Sequence, residues 1–224
     1  MAFSISLVLG VEHARSRVGR IMMSEVVKPL FVLSLKNPRE AALGLVRLEM
    51  GTQTLWLVLS LVSVITSLVL SLLLQITPLP NGEMGEVLAS APGFENPLIM
   101  AVIQWGRIVL SVFVFYWVGR FLGGQGTLGD VLAVVTWLQL MSFALMVGIT
   151  FLGFALPFLS PFALLIFICW WLFSLVTYVD VAHSFGNMLK ATGVIVASIV
   201  GVLIGMTLFM GVIGGIFVSG VGGS

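Results

Sequence analysis

Charged side chains are scarce in this sequence. Only 8% of its 224 residues are Asp, Glu, Lys or Arg, whereas 59% are hydrophobic. An ordinary soluble domain carries about a quarter charged residues, because water has to wet its surface. Ten basic and nine acidic side chains cannot cover a soluble body of this length, so lipid is the expected solvent. The net charge of +1 gives no basic field for a nucleic acid, and no nucleic-acid partner is predicted.

Reactive groups are also scarce. The single cysteine, Cys169, excludes an intramolecular disulfide and is expected to be a small buried hydrophobe, since it stands in an apolar run. The sequence has no H-E-x-x-H, no G-x-S-x-G and no cysteine with a positioned histidine. We therefore predict a protein that is not an enzyme, with no catalytic residues, no metal site and no cofactor.

Long apolar runs are abundant. A helix needs about 20 apolar residues to cross the hydrocarbon core of a bilayer. Five runs meet this length, at about 55–74, 98–118, 131–156, 162–179 and 191–218. Pro157 and Pro161 separate the third run from the fourth and predict a tight hairpin there, because proline ends a helix. The predicted fold class is all-α: a polytopic membrane helix bundle of five spans, followed by a short tail at 220–224.

The basic residues predict the orientation. Seven precede the first span: Arg15, Arg17, Arg20, Lys28, Lys36, Arg39 and Arg47. Arg120 and Lys190 fall in the second and fourth connections, whereas the first connection carries glutamates and no base. With five spans all these bases lie on one side, which predicts a cytoplasmic N-terminus and an external C-terminus. Four aromatic residues are expected at the same interface: Trp56, Tyr116, Trp117 and Tyr178.

The segment 1–53 precedes the first span. Phe3–Val11 is apolar but short and has no base before it, so a cleaved signal peptide is not expected, and Met22 or Met23 is an alternative translation start. Asn37-Pro-Arg-Glu40 is typical of a helix start. We predict an interfacial helix over 37–50 that rests an apolar stripe of Ala41, Leu45 and Leu48 on the cytoplasmic leaflet. A simple lead-in to the first span accounts for the pattern equally well.

Arg107 is the one formal charge inside a predicted span. Such a charge is costly in hydrocarbon and usually faces the bundle, a partner or a water-filled cavity. Gln104 lies three residues earlier on the same helix face, and Gln139 lies at a comparable depth in the next span. We predict an intramembrane polar cluster of these three residues. A substrate or ion pathway, or a contact with a partner protein, is the alternative.

Asp180 and His183 form a candidate polar pair at the cytoplasmic end of the fourth span. Their spacing places a carboxylate and an imidazole on one helical face. Two ligands do not make a metal site, so an interfacial polar cluster is the prediction.

Glycines mark two further features. Gly124-Gln-Gly126-Thr-Leu-Gly129 matches the dinucleotide-binding pattern, but it lies between two spans and has no acidic residue about 20 positions on. It is interpreted as a glycine-rich turn. Gly193, Ala197, Gly201 and Gly205 recur every four residues in the last span and predict a stripe for close helix packing, within the chain or with another copy.

Three segments carry a resemblance to a known family. They are Lys36-Asn-Pro-Arg-Glu-Ala-Ala42, Phe121-Leu-Gly-Gly-Gln-Gly-Thr-Leu128 and Ala182-His-Ser-Phe-Gly186. Over roughly Pro29 to Val218 the chain resembles the small bacterial members of the Yip1-domain family. The resemblance implies an integral protein of the bacterial cytoplasmic (inner) membrane. The Asp-Leu-Tyr-Gly-Pro type motif of eukaryotic relatives is absent, so their Rab-GTPase binding does not transfer.

Three functional hypotheses follow. The first is a non-enzymatic Yip1-like protein that organises membrane lipid or docks a protein partner on the cytoplasmic face. The alternative is a small transporter or channel subunit that acts as a homo-oligomer, with Arg107 on its route. A membrane enzyme comes third, because Asp180 and His183 would have to be accessible to solvent and joined by further polar groups.

Overall fold

The chain forms a helical bundle in a computed structural model that describes residues 27–76, 82–90 and 96–221. These ranges contain no β-strand. The described helices are α1 (27–36), α2 (Pro38–Arg47), α3 (Thr52–Ile76), α4 (Glu83–Ala89), α5 (Pro97–Phe121), α6 (Leu128–Ala155), α7 (Ser160–His183) and α8 (Met188–Val221). The predictions for Phe3–Val11, for starts at Met22 or Met23 and for the last three residues of the tail lie outside the described residues.

Five of these helices, α3 and α5 to α8, are long and apolar enough to cross a membrane. The predicted all-α bundle of five spans is therefore confirmed. The helices start before the apolar runs because polar first-turn residues such as Thr52 belong to them. α8 continues to Val221, so the first two residues of the expected tail are helical.

The spans alternate in direction and give the bundle two distinct ends. The α5–α6 connection (122–127) and the α7–α8 connection (184–187) lie at the end that also contacts α2, here called the α2 end. The turn that contains Pro157 lies at the opposite, far end. Which end faces the cytoplasm stays a prediction from the basic residues.

Local capping fixes where two of the spans begin. Thr127 and Asp130 form a capping box: the Thr127 hydroxyl accepts from the Asp130 N–H at 3.2 Å, and the Asp130 carboxylate accepts from the Thr127 N–H at 2.8 Å. The Asn96 side chain accepts from the Leu98 N–H at 3.0 Å, with Pro97 as the first helical residue of α5.

Large apolar side chains cover the outer faces of the spans, where lipid surrounds them. Two sequence predictions fail on this point. Cys169 was expected to be buried but lies exposed on the outer face of α7, because only one face of a peripheral span contacts the bundle. Tyr178 was expected at the membrane interface but is buried between helices, whereas Trp117 is exposed.

The segment before α3 forms a helical hairpin. A Cβ added to Gly44 would lie 3.7 Å from a methyl group of Leu30, although 14 positions separate these residues. A continuous helix would hold them about 21 Å apart, so the chain folds back at Asn37, between α1 and α2. We call residues 27–47 the α1–α2 hairpin.

The apolar stripe of α2 faces protein. Ala41 and Leu45 are fully buried, and α2 packs against α6 and α7. Leu48, the third residue of the predicted stripe, lies just beyond the helix and is exposed. Ala41 and Leu45 therefore dock α2 on the bundle. They do not make the lipid contact that was predicted for the stripe.

Candidate functional site

An ion pair between a half-exposed arginine and a buried carboxylate joins the α1–α2 hairpin to the α2 end of the bundle. The guanidinium of Arg39 donates to the Asp180 carboxylate at 2.8 Å, and the other carboxylate oxygen accepts from the Asn187 N–H at 2.9 Å. The Asp180 side chain is completely buried, whereas that of Arg39 is 48% exposed. A buried carboxylate needs such partners, because removing its charge from water is costly. Asp180 therefore ties together α2, α7 and the start of α8.

His183 is buried one turn further along α7. Its Nδ1 lies 3.2 Å from the Val179 carbonyl, to which it donates in the tautomer that carries the proton on Nδ1. Nε2 has no partner among the described residues. The ring stacks on Phe185, with 5.3 Å between the ring centroids.

Three glycines make room for this end of α7. A Cβ on Gly119 would overlap the His183 ring, and one on Gly124 would lie 2.8 Å from the His183 Cβ. A Cβ on Gly126 would overlap the Ala182 carbonyl oxygen and lie 2.9 Å from its carbon. The Gln125 N–H donates to the His183 carbonyl at 2.9 Å. The glycine-rich segment that matches the dinucleotide-binding pattern is thus a turn. Its glycines allow the backbone of this turn to contact the backbone at the end of α7.

Asp180 and His183 do not form an accessible pair. Both side chains are buried, and within the described ranges no group of three His, Cys, Asp or Glu side chains could hold a metal ion. The solvent access on which an enzyme hypothesis depends is missing from these two residues.

Ser34 fastens the α1–α2 hairpin at a second point. Its hydroxyl accepts from the indole N–H of Trp137 at 2.8 Å, and its carbonyl accepts from the indole N–H of Trp170 at 3.3 Å. Ser34 is fully buried. Two spans, α6 and α7, therefore bind the same residue of α1.

Arg107 lies in the middle of α5, and its guanidinium donates to the Gln104 side-chain oxygen from Nη2 at 3.1 Å and from Nε at 3.3 Å. Gln139 of α6 makes no hydrogen bond to it, but both residues line the same two cavities. The smaller cavity, of about 280 Å³, lies among α5, α6, α7 and α8. The larger, of about 630 Å³, lies among α3, α6 and α7. The fold thus brings Arg107, Gln104 and Gln139 into one region, and Arg107 and Gln139 border both cavities.

The Yip1 domain family profile matches residues 32–218, which is most of the chain. The chain belongs to the Yip1 domain family. No curated protein and no solved structure matches it. The matched range begins inside α1, so the Yip1 domain includes most of the α1–α2 hairpin as well as the five spans.

The three segments that carried the family resemblance meet at the α2 end of this Yip1 domain. Arg39 comes from the first, Gly124 and Gly126 from the second, and His183 from the third. Sequence reasoning identified each segment but missed the Arg39–Asp180 contact. The sequence did contain a signal for this contact. Asp180 is a carboxylate at the end of an apolar helix and needs a cation, and the first family segment supplies Arg39.

The small-residue stripe of α8 is only partly used within the Yip1 domain. A Cβ on Gly201 would lie 3.3 Å from Val114, and one on Gly205 would lie 3.2 Å from Leu110. These two glycines therefore bring α8 close to α5. A Cβ on Gly193 would meet nothing within 4 Å, and Ala197 is exposed.

Proposed function

We propose that this Yip1-domain protein is a non-catalytic organiser of the bacterial cytoplasmic membrane, and that its α1–α2 hairpin occupies space in the cytoplasmic leaflet. The observation that carries the proposal is the pair of hydrogen bonds from Trp137 and Trp170 to Ser34. These bonds hold a residue of the N-terminal segment against the sides of two spans, below their ends.

The depth of this contact follows from helix geometry. Trp137 lies nine residues after the start of α6, and Trp170 lies thirteen residues before the end of α7. At about 1.5 Å per residue, these positions are about 14 Å and 20 Å from the α2 end of their helices. Half of the hydrocarbon core is about 15 Å thick. These two distances bracket that half-thickness, so Ser34 belongs at the depth of acyl chains, near the middle of the bilayer.

The outer face of the hairpin exposes apolar side chains that can contact acyl chains. Val32 and Leu43, on α1 and α2, expose 48% and 40% of their surface on the side away from the bundle core. Lys36, beside the fold-back at Asn37, is exposed as well. A charge is costly in hydrocarbon, so Lys36 opposes insertion of the fold-back beyond the middle of the bilayer.

Inserting protein volume into one leaflet expands that leaflet relative to the other. Each of the five spans crosses both leaflets, whereas a hairpin that enters from one side adds area mainly to that side. This asymmetry is a physical means of organising a membrane, and it needs no catalytic group. The buried state of Asp180 and His183 fits a protein of this kind.

The first test measures the depth of the hairpin. In a Cys169→Ser background, a Val32→Cys variant is labelled with an environment-sensitive fluorophore and reconstituted in vesicles. Quenchers attached to acyl chains are expected to quench this label about as strongly as a label on the natural Cys169, which is exposed on the outer face of α7. A label quenched only by aqueous iodide contradicts the insertion.

The second test measures the organising effect. Vesicles of phosphatidylethanolamine and phosphatidylglycerol that contain the natural protein are expected to become smaller or tubular at high protein density. The double variant Val32→Glu, Leu43→Glu should abolish most of this change, because carboxylates on the outer face oppose insertion. Equal vesicle shapes for the two proteins would overturn the proposal, and a stoichiometric protein partner co-purified from native membranes would favour docking instead.

A transporter or channel subunit is the second candidate, and the observation that favours it is the position of Arg107 between two cavities. For a transporter we expect an Arg107→Leu variant to fold but lose transport in vesicles. If the variant fails to fold, the arginine is structural.

A further inference from the structure

The guanidinium of Arg107 lacks an anionic partner in the described part of the chain. Its one side-chain acceptor is the neutral amide of Gln104, although a guanidinium has five N–H donors. Among the carboxylates, Asp180 binds Arg39 and Asp130 caps α6. The remaining described acids lie on α2, directly after it, or on α4, and none of them is on a span.

The position of Arg107 makes the missing anion significant. It lies ten residues after the start of the 25-residue helix α5, or about 15 Å from that end at the usual helical rise. The side chain is exposed. A cation at this depth is costly unless an anion, water or polar groups accompany it, and such residues usually mark a site for a ligand or ion.

The larger cavity extends from Arg107 along apolar walls. Aliphatic side chains of α3, including Val69 and Leu73, line one side, and the aromatic rings of Phe143 and Phe151 on α6 line the other. The volume of about 630 Å³ lies inside the range of about 300–1,000 Å³ that is typical of small-molecule sites.

The few hydroxyl groups in this wall are already engaged. Thr66, Ser142 and Thr150 each donate to the carbonyl four residues earlier in their own helix, at 2.7–2.9 Å. The N–H donors available to a ligand are therefore those of Arg107 and of its neighbours Gln139 and Trp171, which line both cavities. The site combines a cationic end with a hydrocarbon wall.

We propose that this cavity binds a single-chain anionic amphiphile. A carboxylate or phosphate head group accepts hydrogen bonds from the Arg107 guanidinium, and one aliphatic chain lies between α3 and α6. The volume of about 630 Å³ is the basis for assigning one chain to the cavity rather than the two chains of a phospholipid. This binding site goes beyond the organising role of the α1–α2 hairpin and does not depend on it.

The test compares four probes on the purified full-length protein by native mass spectrometry and by a displacement assay in a non-ionic detergent. Palmitate and palmitoyl lysophosphatidate carry the two head groups. Hexadecanol is the uncharged match for palmitate. Palmitoyl lysophosphatidylcholine is the match for lysophosphatidate and has no net negative charge. We expect saturable binding of one molecule of at least one anionic probe, at least ten-fold tighter than its matched partner. Binding of palmitate alone points to a carboxylate ligand, and binding of lysophosphatidate alone points to a phosphate ligand.

The residue assignment has a matched control. Arg107→Gln is expected to weaken anionic binding at least ten-fold, whereas Arg120→Gln, which removes an exposed cation at the end of the same helix, should leave it unchanged. If Arg107→Gln does not fold, a chain-length series on the natural protein decides. Affinity for the anionic probes should rise with chain length, because a longer chain covers more of the apolar wall. Equal binding of charged and uncharged probes, full affinity in Arg107→Gln, or no dependence on chain length would overturn the proposal.

Discussion

Replacing Arg39 by Ala is expected to lower the free energy of unfolding by about 2–3 kcal/mol. The substitution leaves the buried carboxylate of Asp180 with the Asn187 N–H as its remaining partner. The expected loss is smaller than the about 3–5 kcal/mol for breaking a fully buried pair, because Arg39 is half exposed and water partly screens it. Reversible unfolding in mixed micelles of detergent and sodium dodecyl sulfate measures the change.

Two further variants show whether the effect comes from the uncompensated charge. Asp180→Asn removes the charge and keeps an oxygen for the Asn187 N–H, so the double variant with Arg39→Ala should be more stable than Arg39→Ala alone. Arg47→Ala removes an exposed cation from the last turn of the same helix and should have little effect. If the double variant is no more stable than Arg39→Ala, the charge explanation is wrong.

Gly126→Ala is expected to destabilise the protein by about 3 kcal/mol, because the added methyl group would overlap a backbone carbonyl oxygen of Ala182. A flexible side chain can rotate away from such an overlap, but a carbonyl at the end of α7 cannot move without shifting the helix. The same unfolding assay should also show lost protection of the Gln125 amide from hydrogen exchange, since that N–H bonds to the His183 carbonyl.

Gly148→Ala is the matched control for this substitution. A Cβ at Gly148, in the interior of α6, would meet nothing within 4 Å. Alanine favours the helix over glycine by about 1 kcal/mol, so this variant should be neutral or slightly more stable. If the two variants lose similar amounts of stability, the loss comes from replacing a glycine as such and not from the overlap of the new methyl group with α7.

The spans could be predicted from the sequence because each depends on a local property. A run of about 20 apolar residues forms a crossing helix whatever its neighbours are. The Arg107–Gln104 hydrogen bond is equally local, since residues three apart on a helix face the same side. The hydropathy of a run does not say which face of its helix meets the bundle, and Cys169 and Tyr178 were therefore misplaced.

The contacts that assemble the α2 end could not be predicted in the same way. Arg39 and Asp180 are 141 positions apart, and Ser34 and Trp137 are 103 apart. Nothing in the composition of residues 27–36 distinguishes a helix held against two spans from an ordinary lead-in. The glycine-rich turn was recognised as a turn, but the reason for its glycines depends on the path of α7, which only the folded chain provides.

The hydrogen bonds between helices give the bundle an uneven stiffness. Among the described residues, side-chain hydrogen bonds that join two helices run from the middle of the bundle, at Ser60 and Trp105, to the α2 end, at Arg39 and Asp180. Closer to the far end than Trp105 and Trp170, no side-chain hydrogen bond joins two of the described spans, and apolar packing holds them together. Apolar contacts have no fixed donor–acceptor geometry, so side chains in this part of the bundle can repack at a lower cost than at the α2 end. The larger cavity lies in this part, so its walls are the ones that can adjust to a guest.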